Sequence, residues 1–135
     1  MKALFLLSGV MAGLALTGCQ SSTPQGEGQM HHYTLAQKCP SLMVMKVGET
    51  LVFNAPENPS TGFQWQLLQP LKLFKVEESY LAGEAEEGML GVGGEKSFRF
   101  HAEKPGQELI ELVHVRAWET TQQPEQQWQC RVRIS

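Results

Sequence analysis

Three short segments carry residue types that could build a binding surface: Asn58-Pro59-Ser60-Thr61-Gly62-Phe63, Gly91-Val92-Gly93-Gly94 and Arg116-Ala117-Trp118. In the first, Pro59 fixes its own φ and biases Asn58 away from helix, while Gly62 admits backbone conformations that a Cβ resists. Ser60 and Thr61 are thereby presented on a stiff turn, and a stiff loop loses less entropy on binding. The same residues also suit a plain inter-strand turn. Proline inside Asn58-Pro59-Ser60 excludes N-glycosylation there. In the second segment, three glycines in four let the backbone lie close against another surface and pair with its edge. A flexible hairpin tip would have the same composition. The segment precedes a strand and lacks a following Lys-Ser/Thr, so it does not resemble a phosphate cradle. In the third, a tryptophan beside an arginine at the end of an apolar strand has the character of a binding hot spot, with a core-capping Trp118 as the alternative.

Catalytic chemistry finds no comparable support. An enzyme needs a nucleophile with its base, paired carboxylates or a metal set. His31 and His32 lie beside a polar stretch, His101 falls on the outward positions of a strand, and His114 lies in an apolar strand. Each reads as a surface or packed histidine. Glu84, Glu86 and Glu87 read as a solvated loop. The chain is therefore expected to be no enzyme, with no catalytic residues, no cofactor and no metal.

The elements that must position the three segments are β-strands. Phe63, Trp65 and Leu67 alternate with Gln64 and Gln66, which turns an aromatic face inward. Phe74 and Val76 repeat the period, as do Phe98 and Phe100 against Arg99 and His101. Residues 109–115 are nearly continuous in apolar side chains, as in a central strand covered on both sides. Residues 128–134 close the domain, with Cys130, Val132 and Ile134 alternating against Gln129, Arg131 and Arg133. Residues 42–45 and 50–53, separated by Val47-Gly48-Glu49, suggest a hairpin or a bent strand. No segment carries a helical stripe. About seven short strands predict an all-β, immunoglobulin-like antiparallel sandwich. In such a fold, loops far apart in sequence converge at one end. Phe53, Phe63, Trp65, Phe74, Phe98 and Phe100 supply most of the expected core bulk.

The 135 residues leave room for one domain and an export signal. The formal charge of −3 is mild and its signs are interspersed, which argues against a nucleic-acid partner. Lys2 precedes an apolar run over residues 3–16, too short to span a bilayer comfortably. It ends in Leu16-Thr17-Gly18-Cys19, which resembles a bacterial lipobox; an ordinary signal peptide with a chance cysteine is the alternative. The expected organisation is a signal peptide over 1–18, a lipidated tether over 19–32 and a folded, monomeric domain over 33–135. Gln20 stands where Asp would retain a Gram-negative lipoprotein at the inner membrane. In a Gram-negative host the resemblance therefore implies a lipid-anchored protein of the outer membrane. With Cys19 carrying lipid, Cys39 and Cys130 remain as a candidate disulfide in an oxidising compartment. Two reduced buried cysteines or a metal site are the alternatives, and no Cys-x-x-Cys or His-x-x-x-His spacing supports the metal.

Taken in order, the three segments resemble the chagasin-type inhibitors of papain-like cysteine proteases. That family's pattern is Asn-Pro-Thr-Thr-Gly-Phe/Tyr, then Gly-x-Gly-Gly, then Arg-Pro-Trp/Phe. The resemblance runs from Leu42 to the C-terminus. Ser60 stands where the first Thr is usual and Ala117 where proline is usual. The resemblance implies a reversible, competitive inhibitor whose partner is a papain-like protease and whose three loops form a wedge. Asn58, Pro59, Ser60, Thr61, Gly62 and Phe63 would occupy the centre of the cleft. Gly91, Gly93 and Gly94 would pair along the non-primed side, and Trp118 would pack on the hydrophobic primed side, with Arg116 bracing it or reaching the rim. A non-inhibitory envelope module on the same scaffold is the competing expectation, since fold alone does not decide function.

Overall fold

The structure, a computed structural model, describes residues 28–83, 93–119 and 124–135, with Gly9 and Gly13 besides. Cys19, Gly91 and the Glu84, Glu86 and Glu87 group lie outside the described residues.

Eight strands occur among the described residues: β1 (Met30–Thr34), β2 (Met43–Met45), β3 (Thr50–Glu57), β4 (Phe63–Leu67), β5 (Phe74–Ala82), β6 (Gly94–Ala102), β7 (Gly106–Arg116) and β8 (Gln126–Ile134). They form two four-stranded sheets, ordered β1-β3-β6-β5 and β2-β8-β7-β4. Period-two alternation sets which side chains meet between the sheets. One sheet contributes Leu51, Phe53, Ala55, Phe74, Phe98 and Phe100. The other contributes Met45, Trp65, Ile110, Leu112, Trp128, Val132 and Ile134. Phe53 is the hinge of this core, 4.5 Å from the Trp128 ring centroid and 5.4 Å from that of Trp65, edge-on to the latter. Burying one such aromatic contributes on the order of 2–3 kcal/mol. The all-β sandwich is as the alternation predicts, with Phe98 and Phe100 buried and Arg99 exposed between them.

Four details differ from expectation. Residues 43–45 and 50–53 are not a hairpin. β2 pairs in parallel with β8 (Met43↔Val132), whereas β3 lies in the other sheet between β1 and β6. The turn at residues 46–49, with Gly48 at φ 95°, carries the chain from one sheet to the other. Alternation tells which side chains point inward but not which sheet they belong to, so hairpin and crossover share one pattern. Second, the strand β1 begins at Met30 and includes His31 and His32, which the sequence assigned to the tether. Its partner is β3, in parallel, from Met30↔Thr50 to Thr34↔Asn54. Third, β7 is central within its sheet, between β8 and β4, but its outer side is only partly covered: Val113 is buried there, whereas Leu109, Glu111 and Val115 are half-buried. Fourth, Phe63 is half-buried at the rim, and the core bulk assigned to it comes from Trp128 instead.

Cys39 and Cys130 form a disulfide across 91 positions, with Cα atoms 5.4 Å apart. The bridge ties the segment between β1 and β2 to the inner side of β8. Beside it, the Trp128 indole N–H donates to the Gln37 carbonyl at 2.9 Å.

Candidate functional site

One end of the sandwich gathers the end of β3 and the start of β4, the end of β5 and the start of β6, and the end of β7 with the start of β8. The registers fix this: Glu57 and Ala82 both face Gly94, Phe63 faces Arg116, and His114 faces Gln126.

The first loop is a single 3-10 turn, Pro59–Thr61, built by its own side chains. Asn58 is the N-cap, and its Oδ1 accepts the Ser60 N–H at 3.1 Å and the Ser60 hydroxyl at 2.7 Å. Pro59 occupies the first turn, where a missing N–H costs nothing. The Thr61 hydroxyl donates to the Asn58 carbonyl at 2.7 Å and accepts the Phe63 N–H at 3.3 Å. Gly62 closes the turn in the left-handed region, at φ 81°. Ser60 and Thr61 are both exposed, but their hydroxyl protons are donated within the loop. The hydroxyls therefore stiffen the turn and leave only acceptor lone pairs outward.

The second segment enters through Gly93 and Gly94. Gly83 donates its N–H to the Gly93 carbonyl at 3.0 Å, which closes the base of the connection between β5 and β6. A Cβ on Gly93 would stand 3.5 Å from the Asn58 Cβ, so the segment lies directly against the first loop. At Gly94 a Cβ would collide with the Leu81 carbonyl and the Tyr80 hydroxyl, which explains a glycine there.

The third segment is a tight turn in which the Glu119 N–H donates to the Arg116 carbonyl at 3.1 Å. Trp118 is 69 % exposed, which removes the core-capping alternative. Its ring covers Gly62, where a Cβ would fall inside the indole. Arg116 crosses to the first loop: its Nε–H donates to the Thr61 carbonyl at 3.1 Å, and its guanidinium lies 4.2 Å over the Phe63 ring.

Beneath these loops runs a column of rings. Trp65 stacks on His114 at 5.0 Å, and Phe63 lies 5.3 Å from His114 on the way to Arg116. His114 is buried, with its Nδ1 3.1 Å from the Glu125 carboxylate, and acts as packing material, as its apolar surroundings in the sequence suggest. The sequence reading missed Glu57, Glu119 and Glu125, which brace the loops. Glu57 immediately precedes the first motif and Glu119 follows Arg116 by three positions. That proximity is the only signal the sequence offers.

Of the residues singled out from sequence, Asn58, Pro59, Ser60, Thr61, Gly62, Phe63, Gly93, Gly94, Arg116 and Trp118 thus come together at one end. A depression of about 360 Å³ lies between Asn58, Gly93, His114 and Glu125. A larger one, about 540 Å³, lies on the flank between Cys39, Pro40, Glu111 and Arg131, away from the loops. No cluster of three or more His, Cys, Asp or Glu side chains among the described residues could hold a metal ion. The architecture defines a class: a β-sandwich that presents a self-braced loop edge.

The chain belongs to the chagasin family of peptidase inhibitors: residues 44–132 match the family described as chagasin family peptidase inhibitor I42. It is an inhibitor by family, not an enzyme. It is 31 % identical over 94 residues to chagasin of Trypanosoma cruzi, covering 65 % of this chain and 83 % of that protein. Its fold is similar to that of the cysteine protease inhibitor EhICP2 of Entamoeba histolytica, with a TM-score of 0.69, 22 % identity, and coverage of 79 % of this chain and 96 % of the other. It is also similar to amebosin, with a TM-score of 0.64, 20 % identity, and coverage of 80 % and 99 %.

Proposed function

We propose that this chain inhibits papain-like cysteine proteases reversibly and competitively, with its three loops entering the active-site cleft as a wedge. The observation that carries this reading is the convergence of residues 58–62, Gly93 and Trp118 on one edge, each in contact with the first loop. A peptidase cleaves an extended segment that it can pair as a strand. The central loop offers a 3-10 turn instead, and its Asn58 and Pro59 carbonyls are taken by the Thr61 and Gly62 N–H groups at 3.1 Å. The attacking thiolate would meet this turn in place of an extended peptide with a scissile carbonyl in attack geometry, so it would stay intact and the block would be reversible. Residues 91–94 would pair along the non-primed side and Trp118 would pack on the primed side. Prior bracing reduces the entropy lost on docking.

The proposal includes the address. Leu16-Thr17-Gly18-Cys19 supports cleavage before Cys19 and its lipidation. Gln20 supports an outer-membrane location in a Gram-negative host. Incorporation of labelled palmitate, abolished by Cys19→Ser, tests this part.

The inhibitory reading is tested by titrating residues 28–135 against papain and a cathepsin. Stoichiometric loss of activity that recovers on dilution is the expected result. Full activity of both enzymes at micromolar protein would leave a non-inhibitory envelope module in its place.

A further inference from the structure

The third loop has a weak point in its sequence and a pair of charges that answer it. Ala117 is position i+1 of the turn closed by Glu119 N–H to Arg116 O, the position at which proline presets φ and alanine does not. No described non-glycine residue has a positive φ, so the turn is not type II and its shape owes nothing to a glycine. Trp118, at i+2, is exposed, and its ring lies against Gly62. A turn of this kind would sample many shapes unless side chains restrain it. Arg116 and Glu119 do so: Nη1 lies 3.3 Å from Glu119 Oε1, while Nε donates to the Thr61 carbonyl and the guanidinium plane covers Phe63. One guanidinium thus holds both ends of its own turn and the neighbouring loop.

We infer that Arg116 and Glu119 are positioning residues, which together fix Trp118 against the first loop and substitute for the backbone lock that Ala117 lacks. This rests on the inhibitor reading above only for its effect on affinity; the bracing itself is a property of the free protein. Lysine at 116 would keep the charge but lose the Nε donor and the planar stack. The pair is partly exposed, at 35 % and 24 % of the two side chains, so its effect is modest and screened by salt.

The test uses Glu119→Ala, Arg116→Lys, Ala117→Pro and the double variant Glu119→Ala/Ala117→Pro, all in residues 28–135. Backbone amide order parameters at Trp118 and Glu119 are measured first. They should fall in Glu119→Ala and Arg116→Lys and return in the double variant, with the melting temperature of Glu119→Ala within about 2 °C of the parent. Unchanged order parameters, or a double variant as mobile as Glu119→Ala, overturn the brace. Inhibition of papain is measured in parallel. Glu119→Ala should weaken it about two- to five-fold, with the loss shrinking at about 1 M salt and largely reversed by proline at 117. Ala117→Pro alone should change little. Parent-like inhibition by Glu119→Ala overturns the link to affinity. A parent protein that fails to inhibit sinks the inhibitor reading instead, and the order parameters still decide the brace.

Discussion

The Glu57 carboxylate, 7 % exposed, accepts the backbone N–H of Trp65 at 2.6 Å, and the Trp65 indole N–H returns to the Pro56 carbonyl at 3.0 Å. These two bonds close a ring across the foot of the first loop. They join the end of β3 in one sheet to β4 in the other, so the loop springs from a point that both sheets fix.

Removing the acceptor should therefore cost more than an exposed glutamate would. Glu57→Ala leaves a buried N–H unpaired and is expected to lose about 1–3 kcal/mol of stability. Glu57→Gln keeps an acceptor oxygen and should recover most of that. Urea unfolding of both variants checks the order; equal stability of Glu57→Ala and the parent would show that the clamp contributes nothing.

Trp118 should separate binding from folding. Because its ring is largely in water, Trp118→Ala is expected to leave the melting temperature unchanged. It should weaken protease binding by at least about 1–2 kcal/mol. Gly62→Ala should impair both properties, since a side chain at φ 81° is strained and would displace the indole. An inhibition constant unaffected by Trp118→Ala would remove the tryptophan from the interface.

The Cys39–Cys130 bridge closes most of the domain. In the chain-entropy account a loop of this length contributes about 4–5 kcal/mol, less whatever structure the unfolded chain retains. Cys39→Ala/Cys130→Ala is expected to lower the urea midpoint by a large fraction. Inhibition by the molecules still folded should persist, because the bridge lies at the flank and not at the loops.

Glu49 gives the protein a pH dependence at the end away from the loops. Burial works against its ionisation. The Lys46 N–H at 3.0 Å, the His31 imidazole at 3.1 Å and the Lys46 charge outweigh that and hold its carboxyl below the ordinary value. A carboxyl whose folded pKa lies below its unfolded one stabilises fully above the unfolded value. That contribution is lost as pH falls through the folded value. Glu49→Gln should flatten the acid limb of melting temperature against pH, between about pH 5 and pH 3. Parallel curves for variant and parent would refute it. Because His31 belongs to β1, acid should also loosen that strand, which amide exchange at residues 30–34 would report.

Local patterning made much of this protein legible. Alternation at Phe98-Arg99-Phe100 and Phe63-Gln64-Trp65 fixed the inward faces, because a strand's side chains point to opposite sides by geometry alone. Asn58, Pro59 and Gly62 announced a capped, sharply closed turn, because each meets a backbone requirement within four residues of itself. Cys39 and Cys130 stood out as a candidate pair, with reduced cysteines or a metal site as alternatives, and the fold is what joins them.

What local spacing could not contain was decided by partners far along the chain. The assignment of residues 43–45 to β8 and of residues 50–57 to β1 and β6 depends on contacts 20 to 89 positions away. The parallel pairing of residues 30–34 is invisible without its neighbour, since Met30-His31-His32 has no apolar period of its own. Glu57 and Glu119 look like ordinary surface carboxylates until the fold brings Trp65 and Arg116 to them. The loop motifs were written in the sequence; their meeting on one edge exists only because two sheets, closed over a shared aromatic core, turn those strand ends the same way.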